Sequence, residues 1–182
     1  MLAPPALALA PAPCRAPLPA VPRVRLAQPS PAPFSAPTPP ALAALASYLP
    51  LLTVEARLHG LPPGLVEAVA LAESGGDPLA RSASGAVGLL QVTPVAARQV
   101  GAPIATAPQQ AVAGVLYLAW LRGLYGVPTR CLVASPAGRC RALAVRMVGA
   151  YYAGPSGTTS ALYVGRVYRR WREIVAEEGE AG

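Results

Sequence analysis

Between residues 41 and 175, apolar side chains recur at three- and four-residue spacing, and Gly and Pro cut the run into helix-sized pieces. The pattern predicts a short helix over 41–48 and a second from Pro50 to His59, ended at Gly60. Pro62-Pro63 opens the next helix, which runs to Glu73-Ser74 and stops at Gly75-Gly76-Asp77-Pro78. Residues 79–92 lose the helical period and carry Gly85 and Gly88, so they predict a structured loop or small sheet. Thr93-Pro94 caps a helix closing at Gly101, and Pro108 begins a long helix through Tyr125. A Pro- and Gly-bearing loop follows, then a helix over 141–153 ended by Gly154-Pro155, and a basic amphipathic helix over about 161–175. The expected class is mostly α, with at most a small sheet.

Composition divides the chain. Residues 1–40 hold most of the Pro, with scattered Leu and Val, and cannot bury enough surface to offset chain entropy. They are expected to form a disordered Pro/Ala-rich leader and make a poor export signal, without a charged start and with prolines breaking the apolar run. The folded domain is expected over 41–175 and a frayed acidic tail over 176–182. The apolar stretch 41–52, broken by Pro50, is too short to span a bilayer, so no transmembrane segment is expected. The formal net charge is +7, and all the basic residues are Arg. Such a surface favours anionic polymers, among them bacterial cell wall. No zinc-finger spacing and no interleaving of aromatics with Arg points to nucleic acid.

One charge breaks the pattern. On the helix ending at Glu73, Leu65, Val66, Val69 and Ala72 share a face at about 100° per residue, and Glu73 falls within that stripe. Glu67 falls nearly opposite, where a solvated charge belongs. A carboxyl at the end of an apolar stripe loses water, which raises its pKa and suits it to hold a proton near neutral pH. The structural alternative is an acid at the core edge reaching into solvent.

The run from Glu73-Ser74-Gly75 through Asp77-Pro78, Ala80-Arg81-Ser82 and Gly85-Ala86-Val87-Gly88-Leu89-Leu90-Gln91 resembles the signature of the soluble lytic transglycosylase family. Ala107-Pro108-Gln109-Gln110 is similar to the family's start of the next helix. Ala150-Tyr151-Tyr152-Ala153-Gly154 resembles its Ala-Tyr-Asn-Ala-Gly motif, with Tyr152 in place of Asn, and Tyr163-Val164 its late Tyr-Val pair. The resemblance implies a lysozyme-like helical domain of the goose-type and transglycosylase class, acting on peptidoglycan glycan strands. It implies Glu73 as the sole acid and base. Glu73 would protonate the glycosidic oxygen, and the substrate's N-acetyl group would stabilise the cationic centre. Glu73 would then take the proton of the sugar's 6-hydroxyl, leaving a 1,6-anhydromuramoyl end.

By motif position, Gln91 would meet the N-acetyl or peptide part of the substrate, and Tyr151 would sit beside Glu73 and orient it. Tyr152 would border a sugar subsite; Leu90, Ser82 and Tyr163 complete the expected substrate-binding set, although Ser82 also suits a loop-holding role. Gly85 and Gly88 would let the loop pack against the helix of Glu73. Arg166, Arg169, Arg170 and Arg172 are expected to form a solvated face. Cys131 and Cys140 bracket a turn-forming stretch with Pro136 and Gly138, and a disulfide is expected there in an exported chain. With one His and scattered Cys, neither a metal nor a cofactor is expected. The substrate implies a periplasmic or extracellular location, and a secretion, conjugation or phage machinery is a partner class such a domain suits. Two other readings stay open: a hydrolytic muramidase or chitinase-like glycosidase on the same fold, and a non-catalytic wall-binding protein of secretion assembly.

Overall fold

The computed structural model describes residues 39–180; the leader expected over 1–40 lies outside the described residues except for its last two positions. The elements in order are α1 (Pro39–Leu58), α2 (Pro63–Ser74), α3 (Pro94–Gln99), α4 (Ala107–Leu124), a 3-10 turn (Thr129–Cys131), α5 (Gly138–Ala153) and α6 (Ala161–Glu180). No strand occurs among the described residues. The segment 79–92 is a loop tied by two isolated antiparallel bridges, Arg81 to Val87 and Val87 to Val92.

The two helices expected before Gly60 are one, continuous through Pro50. A proline inside a helix costs about 3 kcal/mol. Leu45 and Leu52, on either side of it, are buried and each contributes about 1.5–3 kcal/mol, so packing on α2 and α4 outweighs the missing bond. Pro50 itself faces solvent. Continuity also changes the length argument: Pro40–Leu58 is long and apolar enough to cross a membrane by length and composition. In this fold Leu45, Leu52 and Ala56 of that helix enter the core.

α2 is the central helix. Pro62-Pro63 starts it, with Pro63 in the first turn, and Gly75 in the left-handed region ends it, donating its N–H to the Leu71 carbonyl. Leu65, Val66, Ala68, Val69, Ala70, Leu71 and Ala72 are all buried. The stripe expected from the sequence is thus too narrow: α2 packs most extensively on α6 and also on α1. α3 and α4 begin with Thr caps; Thr93 accepts from Ala96 N–H, and Thr106 and Gln109 form a reciprocal capping box. α6 presents Tyr163, Val164, Val167, Tyr168, Trp171 and Ile174 inward. It continues to Glu180, past the boundary expected at 175.

Cys131 and Cys140 form the expected disulfide, with Cα atoms 4.8 Å apart, and join the 3-10 turn to the start of α5. Arg122 secures the same region by donating to the carbonyls of His59 and Val127 and to the Thr129 hydroxyl.

Candidate functional site

Glu73 stands at the last turn of α2, where the helix hands over to the loop 79–92. Core packing carries its carboxyl into a wall formed by α6. The Tyr163 hydroxyl donates to Glu73 Oε1 at 2.7 Å. Burial pushes the Glu73 pKa up to about 7, against the lowering effects of the Tyr163 hydrogen bond and the Arg166 charge. Ionisation of the carboxyl is thus balanced near neutrality: desolvation opposes it, while one donor and one cation favour it. A group so poised can give a proton and take one back.

Of the expected site residues, Tyr163 is hydrogen-bonded to Glu73. Tyr151, expected to orient the acid, instead donates its hydroxyl to the Leu90 carbonyl at 2.8 Å. Tyr151 is close enough for the Glu73 charge to raise its own pKa, an effect second to burial. It therefore braces the loop against α5 and borders the acid. Its ring is tilted against Tyr117, which is in turn stacked on Trp120. Tyr152, its neighbour on α5, turns the other way and stacks on the Tyr163 ring, with centroids 4.8 Å apart and planes 23° apart.

Leu90, expected to line the substrate, is only 1% exposed. A Cβ on Gly114 would lie 2.5 Å from that of Leu90, so the loop and α4 meet where only Gly fits. What Leu90 offers the site is its carbonyl. Gln91 sits at φ 44°, the one positive-φ residue other than Gly among the described residues, and its Nε2 donates to the carbonyls of Ala80 and Gly88. That side chain, half-buried, ties the loop to itself. Ser82 likewise holds a turn: its Oγ accepts from Ala86 N–H and pairs with Ser84 Oγ at 2.9 Å. Gly88 approaches Gln110 of α4, where an added Cβ would lie 2.7 Å from Oε1, whereas Gly85 has open space around it. The loop packs at Gly88 on α4, not on α2 as expected.

Arg166, expected on a solvated face, is half-buried, with its guanidinium carbon 5.9 Å from the Tyr163 ring centre. Its position three residues after Tyr163 on a helix was the available signal. Arg169 and Arg172 do face solvent, and Arg170 pairs with Glu173 at 2.9 Å. Among the described residues, no group of three or more His, Cys, Asp or Glu is placed to hold a metal ion.

Comparison with known proteins bears on the fold and the family. The X-ray structure of an inactive mutant of the lytic transglycosylase Slt from Pseudomonas aeruginosa superposes with a TM-score of 0.52 at 20% identity, over 71% of this chain and 24% of that one. The chain thus spans about a quarter of that relative's length, and the likeness establishes the lysozyme-like fold. No curated protein matches the chain. The family model described as the transglycosylase SLT domain matches residues 51–163, from the middle of α1 to the tyrosine that holds Glu73. The chain belongs to the transglycosylase SLT domain family.

Proposed function

We propose that the chain is a peptidoglycan lytic transglycosylase that cleaves the β-1,4 bond between N-acetylmuramic acid and N-acetylglucosamine, with Glu73 as its single acid and base. The observation that carries the reading is the half-buried Glu73 carboxyl, held by Tyr163 with a pKa of about 7. In the first step the protonated carboxyl donates to the glycosidic oxygen as the C1–O bond breaks. The resulting carboxylate, still accepting from Tyr163, then takes the proton of the 6-hydroxyl while that oxygen closes on C1. The substrate's N-acetyl group stabilises the cationic centre between the steps.

Glycosidases that use water usually employ a second carboxylate. Here three of the other acids are engaged elsewhere, and Glu67 and Glu177 line a separate groove. Asp77 accepts from Leu79 N–H in its own turn, Glu55 lies 3.7 Å from His59, and Glu173 pairs with Arg170. The mutant of the Pseudomonas enzyme, in which Gln replaces a Glu, is described as inactive; an essential glutamate in that relative favours the same role for Glu73. Action on cell wall places the substrate outside the cytoplasm, and the Cys131–Cys140 disulfide suits an oxidising compartment. Tyr152 and Tyr151 would border the sugar subsites, with the loop 79–92 beneath them.

The test is mass spectrometry of muropeptides released by the purified chain from peptidoglycan. Products with 1,6-anhydro ends, lighter by one water than hydrolysis products, are expected. Reducing ends carrying an added water would move the chain to the muramidase reading, and no release would leave a wall-binding role.

A further inference from the structure

We propose that Arg166 is a positioning residue for Glu73, acting with the ring of Tyr152 to hold Tyr163 on the acid. This inference rests on Glu73 being the acid and base proposed above.

Three contacts meet on one side chain. Tyr163 spans from α6 to Glu73 Oε1 at 2.7 Å. Its ring is stacked by Tyr152 of α5, 4.8 Å between centroids, and carries the Arg166 guanidinium 5.9 Å from its centre. A phenol on a helix keeps two side-chain torsions. A ring packed from α5 and a cation one turn along α6 restrict both, so the hydroxyl stays on the acid. The groups that face Glu73 are Tyr163 and Arg166 from α6, and Tyr151 from α5. Only Arg166 among them is a cation.

The chemistry gives that cation a specific use. Once the proton has gone to the leaving oxygen, Glu73 is an anion in a desolvated wall. Arg166 stabilises that form, as does the Tyr163 hydroxyl, and both lower the Glu73 pKa that burial raises. Without the cation, the acid step keeps its proton donor, but the carboxylate is more costly to form. Arg166 also favours the ionised phenol, so it keeps Tyr163 a better donor. The replacement of the motif's Asn by Tyr152 is explained in the same terms: this chain steadies Tyr163 by ring packing at that position.

The experiment compares Arg166→Met, Arg166→Lys and, as a solvent-facing control on the same helix, Arg169→Met. Initial rates on peptidoglycan are measured against pH, alongside the pH dependence of thermal unfolding in Glu73 and Glu73→Gln backgrounds. In Arg166→Met the alkaline limb of the rate profile moves up by roughly half a pH unit or more. The kcat falls several-fold and KM stays within about twofold. Arg166→Lys restores most of the limb, and Arg169→Met changes nothing. The Glu73-dependent part of the unfolding profile moves in the same direction, a readout that needs no turnover. A rise in KM with an unmoved alkaline limb would make Arg166 a substrate contact and overturn the proposal. So would an Arg166→Met profile identical to that of Arg169→Met. If the unsubstituted chain releases no product while the unfolding profile still moves, the enzyme reading fails and the coupling of Arg166 to Glu73 stands.

Discussion

Glu67 and Glu73 lie on the same helix, and burial raises the pKa of both. Their surroundings differ. Glu73 meets a tyrosine donor and an arginine, groups that favour its charge. Glu67 borders a groove of about 350 Å³ floored by Leu45, Leu71 and Ile174, and the charges that reach it, Glu178 and Glu177, repel its own. One end of α2 balances ionisation near neutrality; the other merely tolerates it. Burial alone therefore does not mark a site. The groups that answer the buried charge do, and here both come from α6.

The comparison is broken most directly by neutralising each acid. Glu73→Gln keeps the fold, since volume is nearly unchanged, and lowers peptidoglycan cleavage by at least ~100-fold, the scale of a lost general acid and base. Glu67→Gln leaves the rate within about twofold. Initial rates on purified peptidoglycan measure both, and a Glu73→Gln chain with more than a few per cent of activity would end the assignment.

Stability against pH sharpens it next. Because the folded pKa of Glu73 is raised from 4.5 to about 7, its contribution to stability is complete below 4.5 and lost as pH rises through about 7. Relative to Glu73→Gln, which has no such proton, the unsubstituted chain should lose about 2 to 3 kcal/mol between roughly pH 5 and pH 8. Denaturant unfolding at the two pH values measures it, and parallel curves for the two chains would show that the acid is not desolvated.

Tyr163→Phe tests the donor with the ring left in place. It removes the bond to Oε1, so the Glu73 pKa rises further and the alkaline limb of activity moves up. The kcat is expected to fall about tenfold, near 1.4 kcal/mol, the value of a hydrogen bond to a charged group. Tyr151→Phe should cost less in rate, because its hydroxyl serves the Leu90 carbonyl, and more in stability. Tyr152→Phe keeps the ring that packs on Tyr163 and should cost least in rate. Equal losses in rate for Tyr163→Phe and Tyr151→Phe would deny Tyr163 its special place.

Much of this was legible in the sequence. The helices after Gly60, the loop 79–92 and the disulfide follow from Gly, Pro and Cys placement, and the position of Glu73 in an apolar stripe singled it out. What stayed hidden depends on distance across the fold. A motif gives the order of residues along the chain, not which of two tyrosines reaches an acid on another helix. Tyr151 and Tyr163 are both in motif positions, and only α6 docked on α2 gives the second the shorter path. Arg166 read as one of four basic residues because periodicity cannot tell a helix edge that meets a neighbour from one that meets water. Pro50 misled because local propensity omits the burial of Leu45 and Leu52 around it. Leu90 misled because a motif position can act through its backbone while its side chain is core.

The smallest expected effect is on the far side of α2, and it bears on the comparison from below. Glu67 is half-buried, and after desolvation the largest influences on it are Glu178 and Glu177. Its folded pKa is raised, so its stabilising share is present at low pH and lost as pH rises through that folded value. Glu67→Gln removes the proton and the repulsion together. At low pH, where Glu67 is protonated in both states, the substituted and unsubstituted chains should unfold alike. Near pH 8 the Gln chain should be the more stable, by no more than about 0.5 kcal/mol for a partly exposed site. Salt should shrink the gap, because the Glu177 and Glu178 side chains reach water and their field is screened. Glu177→Gln should reproduce part of the gain, whereas no change at α6's far end should move the pH profile of cleavage. Thermal unfolding of the two chains at low and high pH, with and without added salt, measures this. A Gln chain that is less stable at high pH would mean that the Glu67 carboxylate makes a favourable contact there, and the two ends of α2 would then differ in degree rather than in kind.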